Sequence, residues 1–367
     1  MSWAEIDARR RGPVDATTEV GGLPLVSRLV RQLARQGYAG AQVRCADDDG
    51  RARVCRALDA RPGPGSFPVE VVVGSDAGVH PPTVALDGCA LYHADALAAA
   101  RRDGGPVNPA FVVRTLADRA AGVHRLFGLL GKSLEREGAF SYYVARPLSR
   151  HLARRLLPTT ISPNQVTLAA IACGIAAAVL LARGGGGGAA VAGALLVVGA
   201  LLDNVDGDLA RLRLQFSRTG EWLDAIGDEV VTLSVTGAIG LGLAHDGAAP
   251  TWRTVSLAAA ALGAVVLVQL YVELARRGGA IDTAVYPWFF KPPPGTAPRP
   301  PARRGRLGRA VAGALDLVIR RDVYITVVAG LLVIDQRPAA LVLLLAGVVG
   351  LAVTYLLHQV VVRCRRG

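Results

Sequence analysis

The chain has 367 residues, of which 51% are hydrophobic, and its mean hydropathy of +0.36 is too high for an ordinary soluble protein. The formal net charge is +12, most of it from arginine. Aromatic residues make up only 5% of the chain and no basic patch is interleaved with them, which argues against nucleic acid as a partner.

The first 140 residues have the mixed composition of a soluble domain. Residues 1–20 show no periodic pattern and are expected to be loosely ordered. Beyond them, segments with apolar residues at helical spacing alternate with short apolar runs. We expect helices at 23–36, 94–102 and 110–136 and strands at 41–45, 69–73 and 83–86. Strands that alternate with helices are typical of an α/β fold, so we predict a small cytoplasmic α/β domain over residues 1–140.

Residues 141–160 connect this domain to the apolar part of the chain. Leu148, Leu152 and Leu156 are spaced to share one helix face, while arginines occupy the other faces. Pro147 opens the segment and Pro158 closes it. The pattern predicts an amphipathic juxtamembrane helix on an anionic membrane surface. The alternative is a solvated helix packed against the soluble domain.

Residues 161–367 contain six long apolar segments, and we predict that they form an α-helical membrane domain of six transmembrane helices. The fifth segment is short for a crossing of about 20 residues, so it either begins earlier, within 310–319, or tilts. The six segments cover roughly 165–182, 189–211, 222–244, 255–275, 322–335 and 339–361.

The arginines predict the orientation of these spans. The link at 276–321 and the C-terminus are rich in basic residues, whereas the opposite links carry one arginine each, at Arg183, Arg253 and Arg337. Basic residues collect on the cytoplasmic side of membrane proteins. We therefore expect an integral cell membrane protein with both termini in the cytoplasm.

Four aspartates stand in two pairs at the end of the second apolar segment and the start of the third. Asp203 and Asp206 are three residues apart, and Asp224 and Asp228 are four apart, so each pair shares a helix face. Carboxylates cost roughly 2.5–3.5 kcal/mol each inside a bilayer. Because a short link makes the two helices antiparallel neighbours, all four carboxylates are expected to converge at the cytoplasmic end of the membrane.

Four converging carboxylates would repel one another unless cations lay between them, and oxygen ligands favour hard cations such as Mg²⁺ or Mn²⁺. On the same helix, Gly207 and Ala210 lack bulk and allow a ligand or a neighbouring backbone to approach closely. Arg211 and Arg218 are candidates to pair with phosphate or with the carboxylates. An ion-pair cluster, a membrane metal-ion carrier and a non-catalytic membrane scaffold are the alternatives.

The fixed residues of this region read Asp203-x2-Asp206-Gly207-x2-Ala210-Arg211-x8-Gly220-x3-Asp224-x3-Asp228. This pattern resembles the complete signature of the CDP-alcohol phosphotransferases, at every fixed position and spacing. Residues 161–167, which include Asn164 and Thr167, look like the entry into the first span of that family. The resemblance covers about residues 140–360, and the count of six spans agrees with it.

The resemblance implies a role for each residue. Asp203, Asp206 and Asp224 would bind two divalent ions, and Asp228 would complete the metal site or act as general base. The ions would neutralise the pyrophosphate of a CDP-linked donor, an acceptor hydroxyl would attack, and CMP would leave. The family also implies a homodimer. The residues expected to line the CDP site are Gly207, Ala210, Arg211, Gly220, Asn164 and Thr167.

Two segments of the soluble domain are similar to sugar-phosphate nucleotidyltransferases, namely residues 21–29 and residues 84–89. Two departures stand against activity: the glycine-rich loop expected upstream is absent, and Cys89 occupies the place of a metal-binding aspartate. A thiol is a poor ligand for Mg²⁺. The chain resembles fusions of an inositol-phosphate cytidylyltransferase to a phosphotransferase, and we expect the first domain to be degenerate.

The motif recognises only the CDP part of a donor, so both CDP-diacylglycerol and CDP-inositol fit it. The basic residues at the cytoplasmic ends of the spans suggest an acceptor that carries phosphate, such as inositol phosphate or glycerol phosphate. Arginine suits phosphate because it forms paired hydrogen bonds. We expect Arg218 and Arg321 to contribute to acceptor binding.

Overall fold

The computed structural model is mostly helical, with a small N-terminal α/β region. Two compact units are present: one comprises residues 1–132, 150–160 and 207–216, and the other comprises 133–149, 161–206 and 217–367. The residues that the structure describes are 2–60, 67–74, 80, 82–130, 145–277, 286, 288 and 321–364.

The first unit contains eight strands and the first helices among the described residues. The strands are β1 (Trp3–Ala8), β2 (Glu19–Val20), β3 (Leu23–Pro24), β4 (Gly40–Cys45), β5 (Val69–Val73), β6 (Pro82–Asp87), β7 (Ala90–Leu91) and β8 (Phe111–Val112). The helices are α1 (Leu25–Arg35), α2 (Asp48–Ala60), α3 (Ala94–Asp103) and α4 (Asp118–Leu130), followed along the chain by α5 (Arg146–Leu156).

A four-stranded parallel sheet of order β5-β4-β1-β6 forms the centre of this unit. Ile6 of β1 stands in register with Val43 of β4 and Leu86 of β6, and all three side chains are buried. Helix α1 packs on the sheet through residues such as Leu29 and Leu33, which are also buried. The apolar face of α1 and the inner strands thus form one core, as the alternating sequence pattern predicted.

The expectation that residues 1–20 are loosely ordered is wrong, because Trp3–Ala8 is one of the two inner strands of the sheet. Its charged residues mask the apolar pattern in the sequence. Glu5 is only partly buried and pairs with Arg44 of β4 at 3.0 Å, so the carboxylate is satisfied across the sheet. Helix α2, over Asp48–Ala60, was also not predicted.

The helix expected at 110–136 begins later than predicted. Its first residues form the short strand β8, and α4 starts only at Asp118. The carboxylate of Asp118 accepts hydrogen bonds from the backbone N–H groups of Arg114 and Thr115, at 2.9 and 2.8 Å. These bonds fold the chain into a turn before the helix, and they hold the pKa of Asp118 below its usual value. Residues 131–136 lie outside the described residues.

Helix α5, at Arg146–Leu156, lies within the segment 141–160 for which a helix was predicted. Ala153 is fully buried and Leu157 nearly so, whereas Leu148 is 56% exposed. Residues 150–160 belong to the first unit, where the guanidinium of Arg154 lies 5.1 Å from the ring of Phe127. The packed part of α5 therefore fits the alternative of a helix against the soluble domain, and a membrane-surface role for Leu148 stays a prediction.

The membrane domain follows as α6 (Pro163–Ala182), α7 (Gly186–Leu212), α8 (Arg218–His245), α9 (Thr251–Arg277), α10 (Arg321–Val333) and α11 (Arg337–Cys364). Five of them are long and apolar enough to cross a membrane, and they coincide with five predicted spans. Helix α10 has 13 residues and falls short of that length. Six spans are thus not confirmed, and residues 310–319 lie outside the described residues.

Glycines bring α6 and α8 into close contact within the second unit. A Cβ added at Gly174 would lie 2.4 Å from a methyl group of Val231, and one added at Gly242 would lie within 2 Å of the carbonyl oxygen of Leu181. The side chain of Ile171 similarly occupies the space that a Cβ of Gly227 would need. Small residues let helices approach in a membrane, where lipid supplies little driving force for association. This contact fixes the helix that carries Asn164 and Thr167 against the helix that carries Asp224.

Candidate active site

Three of the four signature aspartates come together in the second unit. One carboxylate oxygen from each of Asp203, Asp206 and Asp224 lies within 4.8 Å of the other two. Asp206 is only 6% exposed, and the Oδ1 atom of Asp224 is buried. Two oxygens bound to one Mg²⁺ at about 2.1 Å are at most about 4.2 Å apart. The three carboxylates are therefore nearly in position to share one cation or a pair of cations.

Helix α6 contributes a hydroxyl group to this cluster. Thr167 lies within hydrogen-bonding distance of both the Oδ2 atom of Asp206 and the carbonyl oxygen of Pro163. Its single proton favours the charged carboxylate, which is the stronger acceptor. The start of α6 is fixed by a capping box, in which Ser162 accepts from the N–H of Gln165 and the Gln165 side chain accepts from the N–H of Ser162. This cap sets the position of Thr167 one turn later.

Gly220 lies where α8 begins and where α6 comes close. Ser217 caps α8 by accepting the N–H of Gly220 at 2.9 Å. A Cβ added at Gly220 would be 2.8 Å from both the Oδ1 atom of Asn164 and the Oγ atom of Ser217. Asn164 and Gly220, both predicted to line the CDP site, are thus brought together. A larger residue at position 220 would collide with these two side chains, which explains the glycine there.

The other signature residues lie at the end of α7, in the first unit. Arg211 donates to Asp208 at 2.8 Å, and Asp208 is only 3% exposed. The same guanidinium lies over Gly207, where an added Cβ would be 3.3 Å from an Nη atom. Arg211 thus pairs with a carboxylate outside the signature, and its expected role in binding phosphate stays a prediction. Sequence reasoning missed Asp208, although its spacing of three residues from Arg211 is typical of a helical ion pair.

Helix α7 ends in an unusual conformation. Gln215 donates its N–H to the carbonyl of Ala210, Leu214 donates to Arg211, and Leu214 has a φ of 50°. This is the Schellman ending of a helix, which normally places glycine at the left-handed residue. A leucine there costs roughly 1–2 kcal/mol. The side chain of Leu214 is 9% exposed, so its burial offsets the strain of the backbone.

Three predicted residues remain apart from the aspartate cluster. Asp228 is half-buried one turn after Asp224, and among the described residues it is not in the group of three close carboxylates. Arg218 is an exposed residue at the start of α8. Arg321 begins α10, but its side chain lies outside the described part of the chain. The roles of these three residues stay predictions.

A second polar cluster, which sequence reasoning missed, surrounds Glu273 of α9. Its carboxylate accepts from the hydroxyl of Tyr355 at 2.9 Å, from the amide of Gln359 at 2.7 Å and from the hydroxyl of Tyr286. Tyr286 is fully buried, and its ring packs edge to face with Trp288. A glutamate in an apolar helix was the available signal. Its partners could not be inferred, because they come from distant parts of the chain.

The first unit places Cys89 in a site of low reactivity. The thiol is fully buried, and burial raises its pKa to about 11, so it stays protonated at neutral pH. Asp87 accepts the N–H of Cys89 at 2.8 Å. A protonated thiol does not bind Mg²⁺, which agrees with the departure seen in the sequence.

The loop after β1 carries three arginines, Arg9, Arg10 and Arg11, and one glycine, Gly12. Arg9 pairs with Asp7 at 2.8 Å, which lowers the pKa of that carboxyl group, and Arg11 pairs with Asp47. Arg10 donates to the carbonyl groups of Val113 and Arg114 at 3.3 and 3.2 Å. The three guanidinium groups therefore serve contacts within the domain.

Comparison with known proteins gives matches of two kinds. Residues 160–290 match the CDP-alcohol phosphatidyltransferase family. A "Bifunctional IPC transferase and DIPP synthase" of Aquifex aeolicus (strain VF5) is 27% identical over 140 residues, which are 37% of this chain and 31% of that protein. A protein of the same name from Thermococcus kodakarensis is 29% identical over 134 residues, or 36% and 29%. The chain spans about a third of the length of the curated relatives it matches.

Proposed function

We propose that this chain is a CDP-alcohol phosphotransferase, because its residues 160–290 match the CDP-alcohol phosphatidyltransferase family, and that Asp203, Asp206, Asp224 and Asp228 carry its reaction. The observation that supports this most directly is the approach of three signature carboxylates to within 4.8 Å in helices α7 and α8. The enzyme lies in a membrane, since five of its helices are long and apolar enough to cross one.

The residues present fit a divalent cation. All three close groups offer carboxylate oxygens, one of the residues is buried, and such sets favour Mg²⁺ or Mn²⁺ over softer metals. When bound, two such ions would neutralise the pyrophosphate of the donor. Asp203, Asp206 and Asp224 would hold them, with Asp228 as a fourth ligand or as the base. Thr167 orients Asp206 through its hydroxyl group.

The proposed reaction is a substitution at the β-phosphorus of a CDP-linked alcohol. Asp228 accepts the proton of the acceptor hydroxyl, whose oxygen forms a new bond to phosphorus. The bond between phosphorus and the bridging oxygen breaks, and CMP leaves with the electron pair. Gly207, Ala210, Arg211, Gly220 and Asn164 would line the CDP site.

We propose a donor of the CDP-diacylglycerol or CDP-inositol type, because both share the part that the signature recognises. The acceptor would be a phosphorylated polyol such as inositol phosphate or glycerol phosphate, bound in part by Arg218 and Arg321. The exposure of Arg218 at the start of α8 supports its access to an anion. The names of the two relatives justify testing an inositol phosphate first.

The proposal also covers the arrangement in the cell membrane. Six spans, with α10 as part of the fifth, would place both termini on the same side of the membrane. The basic links indicate that this side is the cytoplasm. The chain would form a homodimer. The first domain would be a degenerate nucleotidyltransferase that makes no CDP-alcohol from CTP, which the buried Cys89 and the paired arginines after β1 support.

Asp228→Asn tests the proposal because it keeps the size of the side chain and removes the base. Release of CMP from each CDP-linked donor, with Mg²⁺ and a panel of alcohols, should fall by about 10²–10⁴-fold, the usual contribution of a general base. Asp103→Asn, at the exposed end of α3, is the control and should retain full turnover. Near-normal turnover of Asp228→Asn would remove its assignment as the base. A metal-ion carrier would instead move ions across vesicles without any CDP-linked donor.

A further inference from the structure

The short link between the two aspartate-bearing helices is held by the first domain. Residues 213–216, here called the α7–α8 link, belong to the same compact unit as residues 1–132. Leu212 is 1% exposed, Arg213 is 3% exposed and Leu214 is 9% exposed. The first two residues of the link, Arg213 and Leu214, are therefore buried inside this unit, whereas its last residue, Phe216, is 42% exposed.

Helix α1 makes two contacts with the link. An Nη atom of Arg31, which is buried, donates to the carbonyl oxygen of Arg213 at 2.8 Å. One turn later the guanidinium of Arg35 lies 3.7 Å from the centre of the Phe216 ring. The first contact fixes the backbone of the link, and the second is a cation–π contact with its last residue.

Arg213 ties the link to the segment after α5. Its Nη2 atom lies 2.6, 3.1 and 2.8 Å from the carbonyl oxygens of Leu156, Leu157 and Thr159. Gly22, in the turn between β2 and β3, leaves room for this arrangement, since an added Cβ would lie 2.9 Å from the carbonyl oxygen of Leu157. Gly22 also has a φ of +75°, which favours glycine.

These contacts act on the part of the chain that joins the signature residues. Leu212 ends the helix that carries Asp203 and Asp206, and the helix that carries Asp224 begins only at Arg218. A link this short transmits its own position to both helix ends. The left-handed Leu214 within it indicates that surrounding contacts determine its backbone.

We propose that the N-terminal domain is a positioning element of the phosphotransferase, and that Arg31 is its main positioning residue. Arg31 holds the α7–α8 link, and through it the relative placement of the aspartates on α7 and α8. This inference rests on the proposed function, and it gives the domain a role that needs no nucleotide. Metal sites demand placement well within 1 Å, and a misplacement of about 1 Å can cost 10²-fold in rate.

The test compares two arginines of the same domain in the full-length protein in detergent. Arg31→Met keeps the length of the side chain and removes the donor to Arg213. Arg101→Met is the matched control, since Arg101 also donates through an Nη atom to a backbone carbonyl, that of Gly37, at 3.0 Å. Arg31→Met should lower kcat for CMP release by about 10- to 100-fold with little change in KM for the donor. Arg101→Met should change neither value.

Hydrogen exchange provides a second measurement that needs no activity. The N–H groups of Arg213, Leu214 and Gln215 donate to Leu209, Arg211 and Ala210 and should exchange slowly in the wild type. Arg31→Met should accelerate their exchange, and Arg101→Met should not. Arg35→Gln changes an exposed residue, so the variant should fold normally. It should also lower kcat and accelerate exchange of the link N–H groups, both to a smaller extent than Arg31→Met.

The two measurements distinguish failure of the inference about Arg31 from failure of the proposed function. Wild-type kcat in Arg31→Met overturns the inference, whatever the exchange rates, and so does an equal loss in Arg101→Met. Restoration of most of the kcat by Arg31→Lys, which returns a donor, supports it. If the wild-type chain releases no CMP from any donor, the proposed function fails. The exchange rates alone then decide whether Arg31 holds the link.

Discussion

The membrane helices contain two clusters around carboxylates, and the clusters are built in opposite ways. Asp203, Asp206 and Asp224 bring three carboxylates within 4.8 Å of one another. Around Glu273, a single carboxylate meets two tyrosine hydroxyls and a glutamine amide. The first cluster concentrates negative charge, whereas the second surrounds one negative charge with donors from the protein.

This is the difference that we expect between a functional site and a structural one. A carboxylate that is withdrawn from water needs donors or cations nearby. Glu273 obtains donors from its own chain, and those from Tyr355 and Gln359 join α9 to α11. Three adjacent carboxylates repel one another, so we expect the aspartate cluster to bind cations. Both are acidic groups in apolar helices, and the arrangement of neighbours distinguishes them.

The largest expected effect concerns turnover. Asp206→Asn keeps the shape of the side chain but removes a charged ligand, so CMP release should fall at least about 100-fold, because a bound metal supplies several kcal/mol of transition-state stabilisation. Glu273→Gln should have a far smaller effect, and its Mg²⁺ requirement should match that of the wild type. The measurement is initial rate against Mg²⁺ concentration. Similar losses of CMP release in the two variants would contradict the distinction between the aspartate cluster and the Glu273 cluster.

The second prediction uses stability, where the two clusters should differ in sign. In EDTA, Asp224→Asn should raise the unfolding temperature because it relieves repulsion. Glu273→Gln should lower it, since hydrogen bonds to a charged group contribute about 1.5–3 kcal/mol. Added Mg²⁺ should then stabilise the wild type more than Asp224→Asn. Tryptophan fluorescence of the purified protein during heating measures all of these.

A loss of stability in metal-free Asp224→Asn would contradict this prediction. It would indicate that the aspartates form a structural ion-pair cluster, the alternative that the sequence left open.

The smallest effect concerns a third site, the carboxylate of Asp246. This residue follows α8, at the opposite end of that helix from Asp224. It accepts from the N–H of Gly185 at 2.8 Å and from Arg337 at 2.5 Å. These bonds lower its pKa below the ordinary value of 3.8. The stability it contributes is present above about pH 3.8 and is lost as the pH falls through the lowered pKa.

Asp246→Asn should therefore unfold at a slightly lower temperature than the wild type at neutral pH, and the difference should shrink below about pH 4. Unfolding temperatures measured from pH 3 to pH 8 check this. A difference that stays constant over that range would exclude ionisation of Asp246 as the cause. The result extends the comparison, because the carboxylate of Asp246, like that of Glu273, accepts its hydrogen bonds from other residues of the chain.

The sequence predicted the membrane helices best because long apolar runs have few alternatives. Five helices lie within a few residues of the predicted spans. The aspartate cluster was also predictable, since residues three or four apart share a helix face and a short link makes neighbours of two helices. Asp228 is the exception: its spacing predicted convergence, and the close group in the described residues contains only the other three.

The misses have physical causes. Strand β1 was not predicted because Glu5 and Asp7 interrupt its apolar pattern, and the partner of Glu5 is Arg44, on the neighbouring strand β4. The partners of Glu273 come from Tyr286, Tyr355 and Gln359, which no local pattern connects. The backbone of the α7–α8 link accepts a hydrogen bond from Arg31, which is far away along the chain. Contacts between remote segments are the information that periodicity does not contain.

The close contact between α6 and α8 has a consequence for how the protein is made. The carbonyl of Leu181 lies where a Cβ of Gly242 would be, so these two backbones meet with no space between them. Gly242 is synthesised about 60 residues after Leu181, which takes roughly 3–12 s at usual elongation rates. Helix α6 is therefore synthesised before its tightest partner, with α7 in between. The close packing of α6 against α8 can form only after the second half of α8 has been made.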